Sequence, residues 1–150
     1  NMTRAEVTTM FARLLTEQIE VDRTYTNTFR DVPKSHWAAN YIGYMQQFGI
    51  IVGYQDGTFR PDQPVTRQEF AQMLYNYAKY KDYDLTAEGD LSTFPDGNKV
   101  QEWAVPAMSW ANGNQLINGH DDGTLEPGGT ATRAQAASIL TRFDQNFTSK

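Results

Sequence analysis

The chain has no cysteine, so disulfides and thiolate metal ligands play no part in its stability or chemistry. It also lacks long hydrophobic runs. Its longest aliphatic stretch lies near Gly49-Ile50-Ile51-Val52, far short of the ~20 apolar residues of a membrane helix. Asn1-Met2-Thr3-Arg4 has none of the apolar character of a signal peptide. Basic residues are in deficit: 13 Lys and Arg against 18 Asp and Glu give a net charge of −5. That argues against a broad nucleic-acid footprint, though not against a local cationic pocket.

Histidine is nearly absent. The two present, His36 and His120, occupy non-equivalent places, so neither a repeated nucleophilic triad nor a His-rich metal motif is supported. There is no Gly-rich phosphate loop. The Asp56-Gly57 and Asp122-Gly123 pairs fail as EF-hand loops, which need oxygen ligands at loop positions 1, 3 and 5 and Glu at 12. With Gly57 at position 6, position 1 is Val52 and position 12 is Gln63; with Gly123 there, position 12 is Gly129. Carboxylate neighbours such as Asp121-Asp122 exist, but nothing in the sequence sets their pKa values apart. The expectations are no catalytic residues, no metal and no cofactor.

What is present is repetition. Aromatics reach 13% of 150 residues, and a chain of this length buries roughly 70% of its unfolded surface. Thr3-Arg4-Ala5-Glu6, Thr66-Arg67-Gln68-Glu69 and Thr132-Arg133-Ala134-Gln135 each head an amphipathic run. Two fuller copies, Phe29 to about Ala78 and Phe94 to Phe143, open with Phe-x-Asp and place a Trp at 37 and 103. They continue with Gly53-Tyr54-Gln55-Asp56-Gly57-Thr58-Phe59 and Gly119-His120-Asp121-Asp122-Gly123-Thr124-Leu125. The offset is 65 residues at the Phe and 66 from the Trp onward. Residues 1 to about 16 match only the end of a unit, so the chain opens inside a repeat and reads as a piece of something longer.

Phe70, Met73, Leu74 and Tyr77 fall at i, i+3, i+4 and i+7, the spacing of one helical face. Val7, Met10, Phe11, Leu14 and Ala136, Ile139, Leu140, Phe143 repeat it, predicting three helices packed together. A second helix per unit is expected after each Trp, one face formed by Trp37, Tyr41, Met45 and Phe48, with Gly49 and Gly113 as stops. Pro106 fits only in a first turn. Phe29 and Phe94 are expected core anchors, and Asp31 and Asp96 caps or turn formers. The linkers 17–28 and 79–93 read as surface connections, the second long enough for a short helix.

Thr-x-x-Glu/Gln before an apolar run is a capping box, which accounts for the Thr and the Glu or Gln. It leaves the arginine unexplained, because a cation at a helix start opposes the macrodipole by ~0.3–1 kcal/mol. Unpaired N–H groups at a helix start attract anions, and a guanidinium can grip a carboxylate or phosphate with two bonds. The alternative is a structural salt bridge. Trp37 and Trp103 read first as core residues, with platforms for a sugar ring as the alternative. Gly53 and Gly119 read as backbone bends or as points of close ligand approach.

Phe29-Arg30-Asp31-Val32, His36-Trp37-Ala38, residues 53–61 and Val65-Thr66-Arg67-Gln68-Glu69-Phe70 together resemble an S-layer homology module. The copy at 94–143 is similar but more diverged. The resemblance implies an all-α fold of tandem modules: a pseudo-three-fold bundle of three central helices with short helical or loop prongs. The expected divisions are 1–28 (last helix of a first module plus linker), 29–93 and 94–150, forming one compact unit. It implies a non-catalytic, monomeric module on the bacterial cell surface, bound to a secondary cell-wall polysaccharide that often carries a pyruvate ketal. Other surface-layer proteins are the alternative partners, with no nucleic acid and no membrane insertion; a carbohydrate-active enzyme ranks last. By position, Arg4, Arg67 and Arg133 inherit a role in grooves between modules, Trp37 and Trp103 a ring contact, and Gly53 and Gly119 a main-chain contact. Gln135, His120 and Leu125 depart from the pattern, which puts the groove of the last module in doubt. Arg67 is expected to have the most complete surroundings and Arg133 the most altered.

Overall fold

A computed structural model describes residues 1–15 and 24–147. Its described residues form helices and no sheet: α1 (Arg4–Leu15), α2 (Ala39–Gln47), α3 (Arg67–Tyr80), α4 (Val105–Gly113) and α5 (Arg133–Phe147). The periodic stripes explain the long helices. Phe70, Met73, Leu74 and Tyr77 of α3 are buried, as are Ala136, Ile139, Leu140 and Phe143 of α5. Each of the larger apolar side chains among them contributes ~1.5–3 kcal/mol of burial. In α1, Val7 and Phe11 are buried but Leu14, expected in the stripe, is exposed.

Each module interlocks with the next. Helix α1 packs on α2 and α5, and α3 packs on α4. The ring of Tyr77 joins α3 to both other long helices, lying 5.3 Å from Phe11 and 5.8 Å from Phe143. The segments leading into α1, α3 and α5 close a ring of backbone hydrogen bonds. Met2 N–H donates to Ala131 O (3.0 Å), Ala131 N–H to Val65 O (3.3 Å) and Val65 N–H to Met2 O (2.9 Å). All three residues are buried, so this ring satisfies backbone groups that would otherwise be costly to desolvate.

Several details depart from the sequence expectations. Trp37 precedes α2 and Trp103 lies in a 3₁₀ turn before α4; they are 60% and 50% exposed, so neither is a core residue. Pro106 does fall in the first turn of α4. Gly49 ends α2 at φ +74°, but its counterpart 66 residues on is Gln115, at φ +60°. Gly113 remains helical, and its bare Cα lets the Glu88 backbone pass: a Cβ there would meet Glu88 C at 2.7 Å. Phe29 is buried as expected, whereas Phe94 is only half-buried against the core. The linker at 79–93 carries no α-helix beyond Tyr80, only a 3₁₀ turn at Leu91–Thr93. The first linker lies outside the described residues except for 24–28.

Candidate functional site

The capping boxes form in all three copies. Thr3, Thr66 and Thr132 Oγ1 accept the N–H of Glu6, Glu69 and Gln135 at 3.1–3.2 Å. The side chains of those residues accept the Thr N–H in return, each at 2.9 Å. The helix starts of α1 and α3 are not open to anions, contrary to the sequence argument. Arg4 and Ala5 N–H donate to Gln63 and Pro61 O, and Arg67 and Gln68 N–H to Gly129 and Pro127 O. The neighbouring module supplies these carbonyls, so the backbone donors are spent and any anion affinity there must come from the guanidinium.

The three arginines meet different surroundings. Arg4 is 7% exposed. Its Nε donates to Phe59 O at 2.8 Å and its Nη1 to Glu69 Oε2 at 2.7 Å. The rings of Phe59 and Tyr54 lie 4.6 and 4.8 Å from its Cζ, and Tyr54 Oη also donates to Glu69. Burial, then that bond to a carboxylate, raises the Tyr54 pKa. Arg133 is exposed and weakly paired with Glu6 at 3.4 Å. Each of these guanidiniums thus reaches the capping-box carboxylate of another module.

Arg67 does not. Also 7% exposed, it donates from Nε to Leu125 O at 3.0 Å and from Nη2 to Asn118 O at 2.7 Å. Gln135 occupies the capping-box position that Glu69 fills beside Arg4, and among the described residues no carboxylate lies within 4 Å of Arg67. Burial pushes its pKa down, while the fields of Glu126 and Asp96 push it up; arginine keeps its charge at neutral pH regardless. A groove of about 350 Å³ opens on this side chain. Its walls include Asn118, Gly119 and His120 on one side and Gln135, Ser138 and Arg142 of α5 on the other.

This geometry corrects the ranking of the arginines. The departures Gln135, His120 and Leu125 surround Arg67, because Arg4 and Arg67 each project into the loop of the following module. Arg133, assigned the altered surroundings from sequence, touches none of them. Arg142, which no motif signalled, also lines the groove; its alignment with Asn76 was the available clue.

The two glycines have a packing reason. A Cβ on Gly53 would meet Phe29 Cε1 at 2.3 Å, and one on Gly119 would meet Phe94 Cε1 at 2.7 Å. Gly119 also lines the groove; Trp37 and Trp103 do not. Asp31 and Asp96 tie the loops down, accepting the N–H of Phe59 and Arg60, and of Leu125 and Glu126, at 2.8–2.9 Å. Among the described residues no cluster of His, Asp or Glu could hold a metal, and no helix is long and apolar enough to cross a membrane.

Comparison with known proteins places these repeats. Residues 28–71 and 93–137 each match the S-layer homology domain. The chain is 30% identical to the Cellulosome-anchoring protein of Acetivibrio thermocellus, over 95% of its own length and 32% of that protein. It is 30% identical to the Surface-layer 125 kDa protein of Lysinibacillus sphaericus, covering 97% of the chain and 12% of that protein. With the Amylopullulanase of Thermoanaerobacterium thermosulfurigenes it shares 36% identity over 93% of the chain but 7% of the relative. The chain therefore spans a third or less of each of these proteins, and it belongs to the S-layer homology domain family.

Proposed function

We propose that this chain is a non-catalytic anchoring module that holds a protein to the bacterial cell wall by binding an acidic wall polysaccharide, one bearing a pyruvate ketal. Membership of the S-layer homology family and relatives named for surface layers and cellulosome anchoring support the cell-surface location. The observation that carries the glycan reading is Arg67: a buried guanidinium with no paired carboxylate among the described residues, opening on a groove between modules. A ketal carboxylate supplies the charge that the fold withholds, and Gly119 lines the same groove. Arg4, Arg133 and Gly53 stand at the equivalent positions of the repeat; Trp37 and Trp103 offer exposed ring faces. The similarity to an amylopullulanase fits this division, since the shared segment is a small part of that enzyme.

The exposed tryptophans also suit a protein partner in a surface layer, and one experiment separates the two readings. The purified chain is sedimented with cell walls before and after chemical removal of the wall polysaccharide. Loss of binding on removal supports the glycan; unchanged binding transfers the role to a protein partner.

A further inference from the structure

The surroundings of Arg4 and Arg67 are built from equivalent positions but carry different charge. Among the residues lining the Arg67 groove, the charge-altering exchanges relative to the preceding module all run one way. Gln135 stands where Glu69 stands and Arg142 where Asn76 stands. Arg4 is neutralised by Glu69, whereas Arg67 and Arg142 place two guanidiniums on the second groove. Glu126, at the position of Arg60, runs the other way. It lies outside the groove lining, with its carboxylate 3.8 Å from His120 Nε2.

Donors are also in excess here. Arg142 Nη2 donates to Leu116 O at 2.9 Å, the same bond that Asn76 Nδ2 makes to Ile50 O at 3.1 Å. Asparagine therefore suffices for the structural task, and arginine adds a guanidinium beyond it. Among the described residues, Arg142 Nε is a buried donor without a hydrogen-bond partner. A buried polar nitrogen left unpaired is costly, and an anionic group in this groove relieves that cost electrostatically.

We propose that the chain takes its acidic saccharide in the Arg67 groove and not beside Arg4, and that two residues make this choice. Gln135 leaves Arg67 unpaired, and Arg142 is a second contact for the anion. Beside Arg4 the Glu69 carboxylate already occupies the place of the ligand carboxylate. This rests on the glycan reading above and adds which groove works and why.

Two substitutions test it without threatening the fold. Gln135→Glu keeps the capping box, as Glu6 and Glu69 show. Arg142→Asn keeps the carbonyl bond, as Asn76 shows. The probe is a methyl hexopyranoside bearing a 4,6-pyruvate ketal, titrated into the whole chain and followed by amide NMR shifts, with its uncharged methyl ester as control. Saturable shifts are expected at Asn118–His120 and Gln135 and not at Val52–Tyr54. Gln135→Glu should weaken binding by about 10-fold or more and Arg142→Asn by roughly 3- to 10-fold, on the scale of charge-assisted contacts. If the probe binds at Arg67 but both variants stay within twofold of the parent chain, or if Val52–Tyr54 responds equally, this proposal is overturned and the glycan reading stands. Absence of saturable shifts anywhere, or equal binding of the ester, removes both.

Discussion

Arg4 and Glu69 belong to different modules yet meet at 2.7 Å, both nearly buried. The arginine that heads α1 therefore lands on the carboxylate that caps α3. The same step taken from Arg67 reaches Gln135, which cannot complete an ion pair. One exchange of a carboxylate for an amide converts a closed internal contact into a buried cation facing a groove, and the function proposed for this chain follows from it.

Arg67→Ala should weaken binding to cell walls by roughly 10- to 100-fold, the equivalent of one or two charge-assisted bonds. Leaving Leu125 O and Asn118 O without their donor costs ~1–3 kcal/mol of stability, while the helical circular dichroism should hold. Arg67→Lys keeps the charge but loses the two-pronged guanidinium and should fall between. If melting collapses with loss of helix, the arginine is primarily structural.

Gly53→Ala should destabilise the fold by ~1–3 kcal/mol, the range for overpacking, because the added methyl meets Phe29 Cε1 at 2.3 Å. Gly119→Ala meets Phe94 at 2.7 Å and should cost less, since Phe94 is only half-buried and can give way. Chemical unfolding of both variants checks the order; a larger loss at Gly119 contradicts it.

Acid should loosen the third module's loop. The N–H groups of Leu125 and Glu126 donate to the Asp96 carboxylate and hold its pKa below the ordinary aspartate value. A group with a lowered folded pKa stabilises fully above its unfolded pKa, and that contribution is lost as pH falls through the folded one. Protection of the Leu125 and Glu126 amides from hydrogen exchange should therefore decline below about pH 4, after correction for intrinsic rates. Asp96→Asn should show weak protection and no such step; protection independent of pH in the parent chain would count against the tie.

Much of this was legible in the sequence, for reasons that differ by residue. The stripes at Phe70–Tyr77 and Ala136–Phe143 gave the long helices because helical spacing and burial agree there. The capping boxes were legible because their partners are three residues apart. Trp37 was harder: it sits one turn ahead of Tyr41 in spacing, yet the helix starts at Ala39, so the indole faces solvent. Gln115 shows that a positive-φ helix end need not carry glycine when the chain beyond it is held by packing. The pairing of each arginine with another module was not legible, because it depends on how the modules interlock. That is why Gln135, read as a defect beside Arg133, turned out to lie beside Arg67.

The most direct test of the central claim is sedimentation of the chain with purified bacterial cell walls, before and after the wall polysaccharide is chemically removed, with Arg67→Ala alongside. The account predicts binding to intact walls, its loss after removal, and weak binding of the folded variant throughout. Undiminished binding to stripped walls, or a folded Arg67→Ala chain that binds as well as the parent, would contradict it.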